Sequence, residues 1–316
     1  MDNIDNSSFN PLASIKNTFA DTSTTLKNAV TDNYNSLFNS GYIYFGLIAV
    51  VIVCLLLAYL LYYLITTRLF LQVKVIAEET KSPIVCTEKR KLKFTYDKTG
   101  NGERRTFTFW IYLHDMNKYK GMYKNVFNIN ETEEVININK PSPYIFLDKN
   151  NNRLYVRFSK KGIAEKDEMK YSLLDNANLA TFMSQGIVIP YIPLQRWVHI
   201  SIVCNANSYK NYIYAYVDGD LVNSTSTGEI DNVIGGNPKD LKELNLNVQG
   251  FLNIGGSPTD FAEGPGFSGL ISKVTTYNYE LNQKDIYDDY SNGPIGGILS
   301  KLGLSNYGVR SPIYKI

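Results

Sequence analysis

Asp148, Asn150 and Asn152 alternate as the opening ligands of a calcium loop do, which makes them the first candidates for cation chemistry. Such a loop also needs a glycine at its sharp turn and a bidentate Glu at its far end. Neither follows at the right spacing, so the run is expected to be a hairpin tip. Asp218 and Asp220 flank Gly219 and are accounted for as turn residues, with weak calcium binding as the lesser alternative. His114 and His199, the two histidines, lack a Cys, Asp or Glu at ligand spacing. No G-x-S-x-G run occurs and no Cys-His pairing is indicated, so nucleophilic catalysis has no support. Gly255-Gly256 alone is not a nucleotide loop. The expectation is no catalytic, cofactor-binding or metal residue, and no cofactor.

The elements that would have to position any site are strands. From residue 84 onward, short runs rich in Tyr, Ile, Val, Phe and Thr are separated by Asn, Asp, Gly and Pro clusters. The strands expected are Leu92 to Tyr96, Thr106 to Leu113, Tyr123 to Ile129, Tyr144 to Leu147, Leu154 to Phe158, Trp197 to Val203, Tyr212 to Val217, Gly250 to Ile254 and Leu270 to Tyr277. Thr99-Gly100-Asn101-Gly102, Asp148 to Asn152 and Asp218-Gly219 carry hairpin chemistry. One helix is expected, Gln283 to Tyr290, capped by Asn282 and closed by Gly293-Pro294. Alternation puts Val198, Ile200 and Ile202 on one face and Trp197, His199 and Ser201 on the other. Trp110 and Trp197 are expected in the core, and with 24 tyrosines in the chain no single Tyr can be chosen as a sugar platform.

Several of these segments, in order, resemble laminin-G-like, concanavalin A-like lectin/glucanase domains over residues 105 to 291. The first is Phe107-Thr108-Phe109-Trp110-Ile111-Tyr112, followed by Arg196-Trp197-Val198-His199-Ile200-Ser201-Ile202. Next come Tyr212 to Val222 with its Asp218-Gly219 hairpin, and Leu252-Asn253-Ile254-Gly255-Gly256. Gly266 to Val274 and Tyr277-Asn278-Tyr279-Glu280-Leu281 close the series. The resemblance implies an all-β fold, a two-sheet antiparallel jelly-roll sandwich. Retaining glucanases of that fold use an E-x-D-x-x-E strand whose two Glu carboxylates flank the glycosidic bond. Glu229-Ile230-Asp231 begins like that motif, but Ile234 stands where the second Glu belongs. Without a proton donor for the leaving sugar, a non-enzymatic protein is expected.

Ahead of this domain lie thirty-five uncharged residues, Asn33 to Thr67, whose apolar core from Tyr42 to Ile65 is about 36 Å long as a helix. That length crosses a hydrocarbon layer of about 30 Å, so a single transmembrane helix is expected within residues 41–67. Residues 1–40 are expected as an amphipathic helix or else a disordered tail: within them residues 15–40 imperfectly repeat an eleven-residue pattern that keeps Ile15, Phe19, Leu26, Val30, Leu37 and Phe38 near one helix face. Residues 68–83 are expected as linker, 84–291 as sandwich and 292–316 as a tail. Lys27 alone precedes the span closely, whereas Arg68, Lys74 and Lys81 follow it, which favours a cytosolic C-terminal domain. Lys89-Arg90-Lys91 and Arg104-Arg105 are diluted by Glu88, Asp97 and Glu103, which argues against a nucleic-acid partner. Cys54 lies in the span, so only Cys86 and Cys204 could pair and no disulfide framework is encoded.

The partners expected are therefore the lipid bilayer and other proteins. The composition, rich in Asn, Tyr, Ile and Lys, and the join of anchor to sandwich resemble proteins of nucleocytoplasmic large DNA viruses. That resemblance implies a minor virion component linking internal membrane and capsid. A lectin-like attachment protein that binds glycan outside the membrane is the alternative.

Overall fold

Strands form here because side chains two residues apart share a face: Phe107, Phe109, Ile111 and Leu113 all enter one apolar core, with Thr106, Thr108 and Trp110 turned the other way. The computed structural model describes residues 11–39, 42–65, 73–95, 103–162, 168–207, 209–247, 249–257, 259 and 263–295. The chain divides into two units, residues 1–66 and 67–316.

The first unit holds α1 (Pro11–Asn39) and α2 (Tyr42–Leu64). Within α2, Tyr44–Leu64 is long and apolar enough to cross a membrane, and none of it is buried within the protein. Leu26 and Val30 of the expected α1 stripe are both exposed. The side chains of Ile15, Phe19, Leu37 and Phe38 lie outside the described residues, as do the Thr99 to Gly102 turn and the tail from 296 onward.

The second unit is a sandwich of two antiparallel sheets, as the sequence leads one to expect. Among the described residues its strands are β1 (Lys74–Ile76), β2 (Ile84–Val85), β3 (Arg90–Phe94), β4 (Arg104–Asp115), β5 (Lys124–Asn130), β6 (Tyr144–Leu147), β7 (Leu154–Arg157), β8 (Gly186–Ile189), β9 (Trp197–Asn207), β10 (Lys210–Val217), β11 (Asp220–Ser226), β12 (Gly250–Ile254) and β13 (Ser268–Tyr277). One sheet runs β1-β13-β4-β9-β10-β11 with β2 also on β13; the other runs β3-β12-β5-β6-β7-β8. Two helices accompany them, α3 (Asn176–Phe182) and α4 (Gln283–Ser291).

Three differences from the sequence expectation have physical causes. Segment 68–83, expected as linker, contributes β1, because Val75 and Ile76 pair with Thr276 and Thr275 at the sheet edge. Strand β8 was not expected, since Gly186-Ile187-Val188-Ile189 is apolar throughout and does not alternate. Helix α3 is only seven residues long and mixes Ala177, Leu179 and Ala180 with the poorer formers Asn176, Asn178 and Thr181, and is held by the Asp175 side chain accepting from Asn178 N and by burial of Leu179 and Phe182. Helix α4 matches its expectation, with the Asn282 side chain accepting from Asp285 N.

Between the sheets Phe109 meets Phe127 edge-on at 5.0 Å, and Phe107 meets Phe158 at 5.7 Å. Gly255 lies at φ +66° with the Cys86 carbonyl 2.5 Å from where a Cβ would stand, a close backbone approach that a side chain would obstruct. Cys86 and Cys204 are free and buried, and burial pushes both thiols up. Because Phe109 is fully buried against the facing sheet, Phe109→Ala should cost about 3–5 kcal/mol. Urea denaturation of the full chain in a non-ionic detergent measures this; a loss under about 1 kcal/mol would deny the core packing described here.

Candidate functional site

A binding surface must lie where the fold leaves side chains uncovered, so the outward faces of the sheets come first. On the six-stranded sheet Tyr144, Phe146, Tyr155 and Val188 turn away from the main core. Leu179 and Phe182 of α3, with Met183 and Tyr123, close over them as a second apolar cluster. Phe146 stacks on Tyr155 at 5.0 Å and Tyr123 meets Phe146 edge-on at 5.5 Å, so aromatic rings fill this face.

The seven-stranded sheet is covered by α4. Asp289 of that helix accepts from Thr108 Oγ1 (2.9 Å), Tyr277 Oη (3.0 Å) and Lys74 Nζ (3.0 Å), and faces His199 Nε2 at 3.3 Å. One carboxylate thereby holds four strands, β4, β13, β1 and β9. Burial alone would raise the Asp289 carboxyl; the hydrogen bond and charge of His199, with the Lys74 ammonium, override it and hold it well below its ordinary value. His199 Nδ1 is buried without a hydrogen-bond partner. Trp110 is also beneath α4, stacked on Tyr290 at 5.7 Å, so it is buried outside the main core; Trp197 is only half-buried, against Tyr112.

The carboxylates singled out in the sequence serve turns. Glu229 accepts from Ser226 N and Oγ at 2.8 Å each. Asp231 accepts from Val233 N (2.8 Å) and faces Lys239 Nζ at 3.5 Å, while Ile234 leans on the second apolar cluster. Asp148 accepts from Asn150 N (2.9 Å) and from the Tyr155 hydroxyl (2.7 Å), and Asn152 donates to Ile192 O. Asp218 accepts from His199 N and Arg196 Nη1, and with Gly219 forms a hairpin tip at φ +52° and +92°, the left-handed pair that a two-residue turn requires. Asp220 is exposed on β11. His114 is exposed beside Asp115. Among the described residues no three His, Cys, Asp or Glu side chains gather as a metal set.

A groove of 720 Å³ stays open at the β10–β11 end of the seven-stranded sheet. Its floor is Tyr212 and Tyr214, stacked at 4.5 Å with 20° between the rings, and its wall includes Ser224 and Ser226, their cross-strand partners. Tyr209 stands at one end, 95% exposed. Lys242 and Glu229 add a charge of each sign. The Tyr212 hydroxyl donates to Glu280 Oε1 at 2.6 Å, and burial followed by that bond pushes the phenol up to about 12. Strand β11 ends the sheet order, and its Ser224 and Ser226 N–H groups are taken by the Asn223 and Glu229 side chains, so the edge is blunted against strand addition. The sequence contained one signal for this groove, the alternation of Tyr212, Tyr214 and Tyr216 on a single strand face.

A family profile described as the concanavalin A-like lectin/glucanases superfamily matches residues 91–287. The chain belongs to that superfamily. No curated protein sequence matches it. Solved structures similar to this superfamily member include the botulinum neurotoxin serotype D ligand binding domain in complex with N-acetylneuraminic acid, at 11% identity and a TM-score of 0.43 over 70% of this chain and 46% of that one. The receptor binding domain of botulinum neurotoxin D aligns at 12% identity and a TM-score of 0.42 over 69% and 47%. That of the C/D mosaic serotype gives 12% and 0.39 over 67% and 42%. The chain thus spans less than half the length of these solved chains.

The Asp289 clamp has a signed pH dependence. A carboxyl held low in the folded state adds stability that is whole above its unfolded pKa of about 4 and is lost as pH falls toward the folded value. Asp289→Asn should therefore destabilise the full chain by about 3 kcal/mol at pH 7, with the gap to wild type shrinking below about pH 4. Urea denaturation at pH 7 and pH 3.5 measures it, and a gap independent of pH would show that the carboxylate charge does not hold α4.

Proposed function

We propose that this superfamily member is a non-enzymatic interaction protein, tethered to a membrane by α2, that meets its partner through the Tyr209–Tyr212–Tyr214 groove. The observation that supports this reading is the groove itself. Stacked and exposed tyrosines beside serines, threonines and an asparagine offer rigid aromatic contact area together with adaptable hydrogen bonding, the composition of protein recognition surfaces. The carboxylates that could have supported glycoside chemistry are engaged in the 226–239 turn instead.

The setting we propose is a virion of a large DNA virus, with the sandwich bridging internal membrane and capsid. It rests on the composition and on the order of anchor and sandwich, and the excess of Lys and Arg after the span favours the cytosolic side. Glycan binding by the same tyrosines is the second reading, favoured by the stacked Tyr212–Tyr214 platform beside hydroxyl groups.

Lysine-directed crosslinking mass spectrometry on native membranes tests both, because Lys242 lines the groove. Links from Lys242 to a shell protein are expected, falling about tenfold or more in Tyr209→Ala/Tyr214→Ala. Links unchanged by that substitution would remove the groove from the proposal. Absence of links together with glycan-array binding that the same substitution abolishes would replace the protein partner with a sugar.

A further inference from the structure

Arginine 157 is buried to 3% exposure on β7, facing away from the main core under the α3 cap. Its five N–H groups are all taken by neutral oxygens. Nε donates to Phe182 O (3.1 Å), Nη1 to Ile138 O (3.3 Å) and Asn139 O (3.0 Å), and Nη2 to Asn139 Oδ1 (3.0 Å) and Gln185 Oε1 (3.3 Å). The Phe182 ring lies 4.4 Å from the guanidinium carbon. What the side chain lacks is therefore countercharge rather than hydrogen bonds. Two other buried cations have it: Lys239 faces Asp231 at 3.5 Å, and Lys124 feels Asp148. Among the described residues no carboxylate stands in ion-pair reach of Arg157. Burial pulls its pKa down to about 9, so at neutral pH the group stays charged in a medium that screens it poorly.

Beside the guanidinium opens a pocket of 520 Å³, lined also by Lys160, Thr181, Ser184 and Gln185. Lys160 Nζ is bonded to Asp240 with further N–H groups to donate. Thr181 Oγ1 accepts from Asn237 Nδ2, which leaves the hydroxyl proton free to donate outward. Among the described residues Glu168 is the one carboxylate on the lining; it is exposed and faces Lys170 at 3.9 Å. A buried positive charge beneath hydroxyl, amide and ammonium donors attracts an anion that can accept several hydrogen bonds.

We propose that this pocket is a binding site for a small oxyanion group, a sulfate or phosphate ester or a carboxylate. Arg157 supplies the countercharge from below, and Lys160, Thr181 and Ser184 supply hydrogen bonds. The site stands apart from the tyrosine groove and does not depend on it.

Equilibrium dialysis of the full chain in non-ionic detergent at low ionic strength, with radiolabelled sulfate and phosphate as probes, tests the site. Saturable binding of one equivalent is expected, with each anion displacing the other and raising the melting temperature. Ser184→Asp places a carboxylate in the pocket, and should weaken binding about tenfold or more while raising the melting temperature of the unliganded protein. Should that variant fail to give the wild-type circular dichroism spectrum, Lys160→Met and Thr181→Val leave Arg157 and its bonds in place and should each weaken binding about threefold or more. Tyr209→Ala should leave it unchanged. No saturable binding of either anion by the wild-type chain, or binding unaltered in every folded pocket variant, overturns the proposal.

Discussion

Over β5 to β8 the six-stranded sheet is buried on both of its faces, and that double burial constrains everything built around it. Every residue of β5, β6, β7 and β8 is buried, whereas an antiparallel sheet with one wet face would alternate buried and exposed positions. Each large side chain removed from water contributes roughly 1.5–3 kcal/mol, so the outward aromatic row of Tyr144, Phe146 and Tyr155 requires a cover. The cover is α3 with its flanking chain, and it turns an open face into a second core. On the other sheet α4 does the same with a different chemistry, a carboxylate that accepts from three strands and faces a histidine on a fourth. The rim, where β10 and β11 end the sheet order, keeps an open groove.

Most polar groups inside this architecture are hydrogen-bonded, with His199 Nδ1, Ser201 Oγ and Thr276 Oγ1 as exceptions. Lys124 donates to three backbone carbonyls and Lys239 to the Met183 carbonyl. Such bonds pin loops to strands without adding an active centre. Glu229 shows the same economy at the edge, where its carboxylate takes both the N–H and the hydroxyl of Ser226. It completes the turn and closes a strand edge that would otherwise be open to another chain.

The sandwich was legible because burial and period-two alternation coincide on its long strands. Phe107, Phe109 and Ile111 on β4 and Val198, Ile200 and Ile202 on β9 enter the core as their spacing requires. The apolar helix was equally legible, since length and lack of charge suffice. Features set by contact between distant segments were not. Asp289 meets Thr108 across 181 positions of chain, and no local pattern around either residue announces it. The groove needs the register that sets Tyr214 opposite Ser224 and Tyr212 opposite Ser226, together with a glutamate from the following turn. The second core is not legible because Asn176 to Phe182 is too short to form a helix alone and acquires its order from what it covers.

The central claim is that α3 belongs to a core and is not a lid over a cleft. Hydrogen–deuterium exchange of the full chain in lipid nanodiscs, read by mass spectrometry under native conditions, tests it most directly. If the claim holds, amides of residues 176–182 and of β6 and β7 exchange together in the slowest class, through global unfolding alone. Fast exchange in α3 followed by β6 and β7, while β4 and β9 stay protected, would contradict it and expose a sheltered binding face where a second core is described.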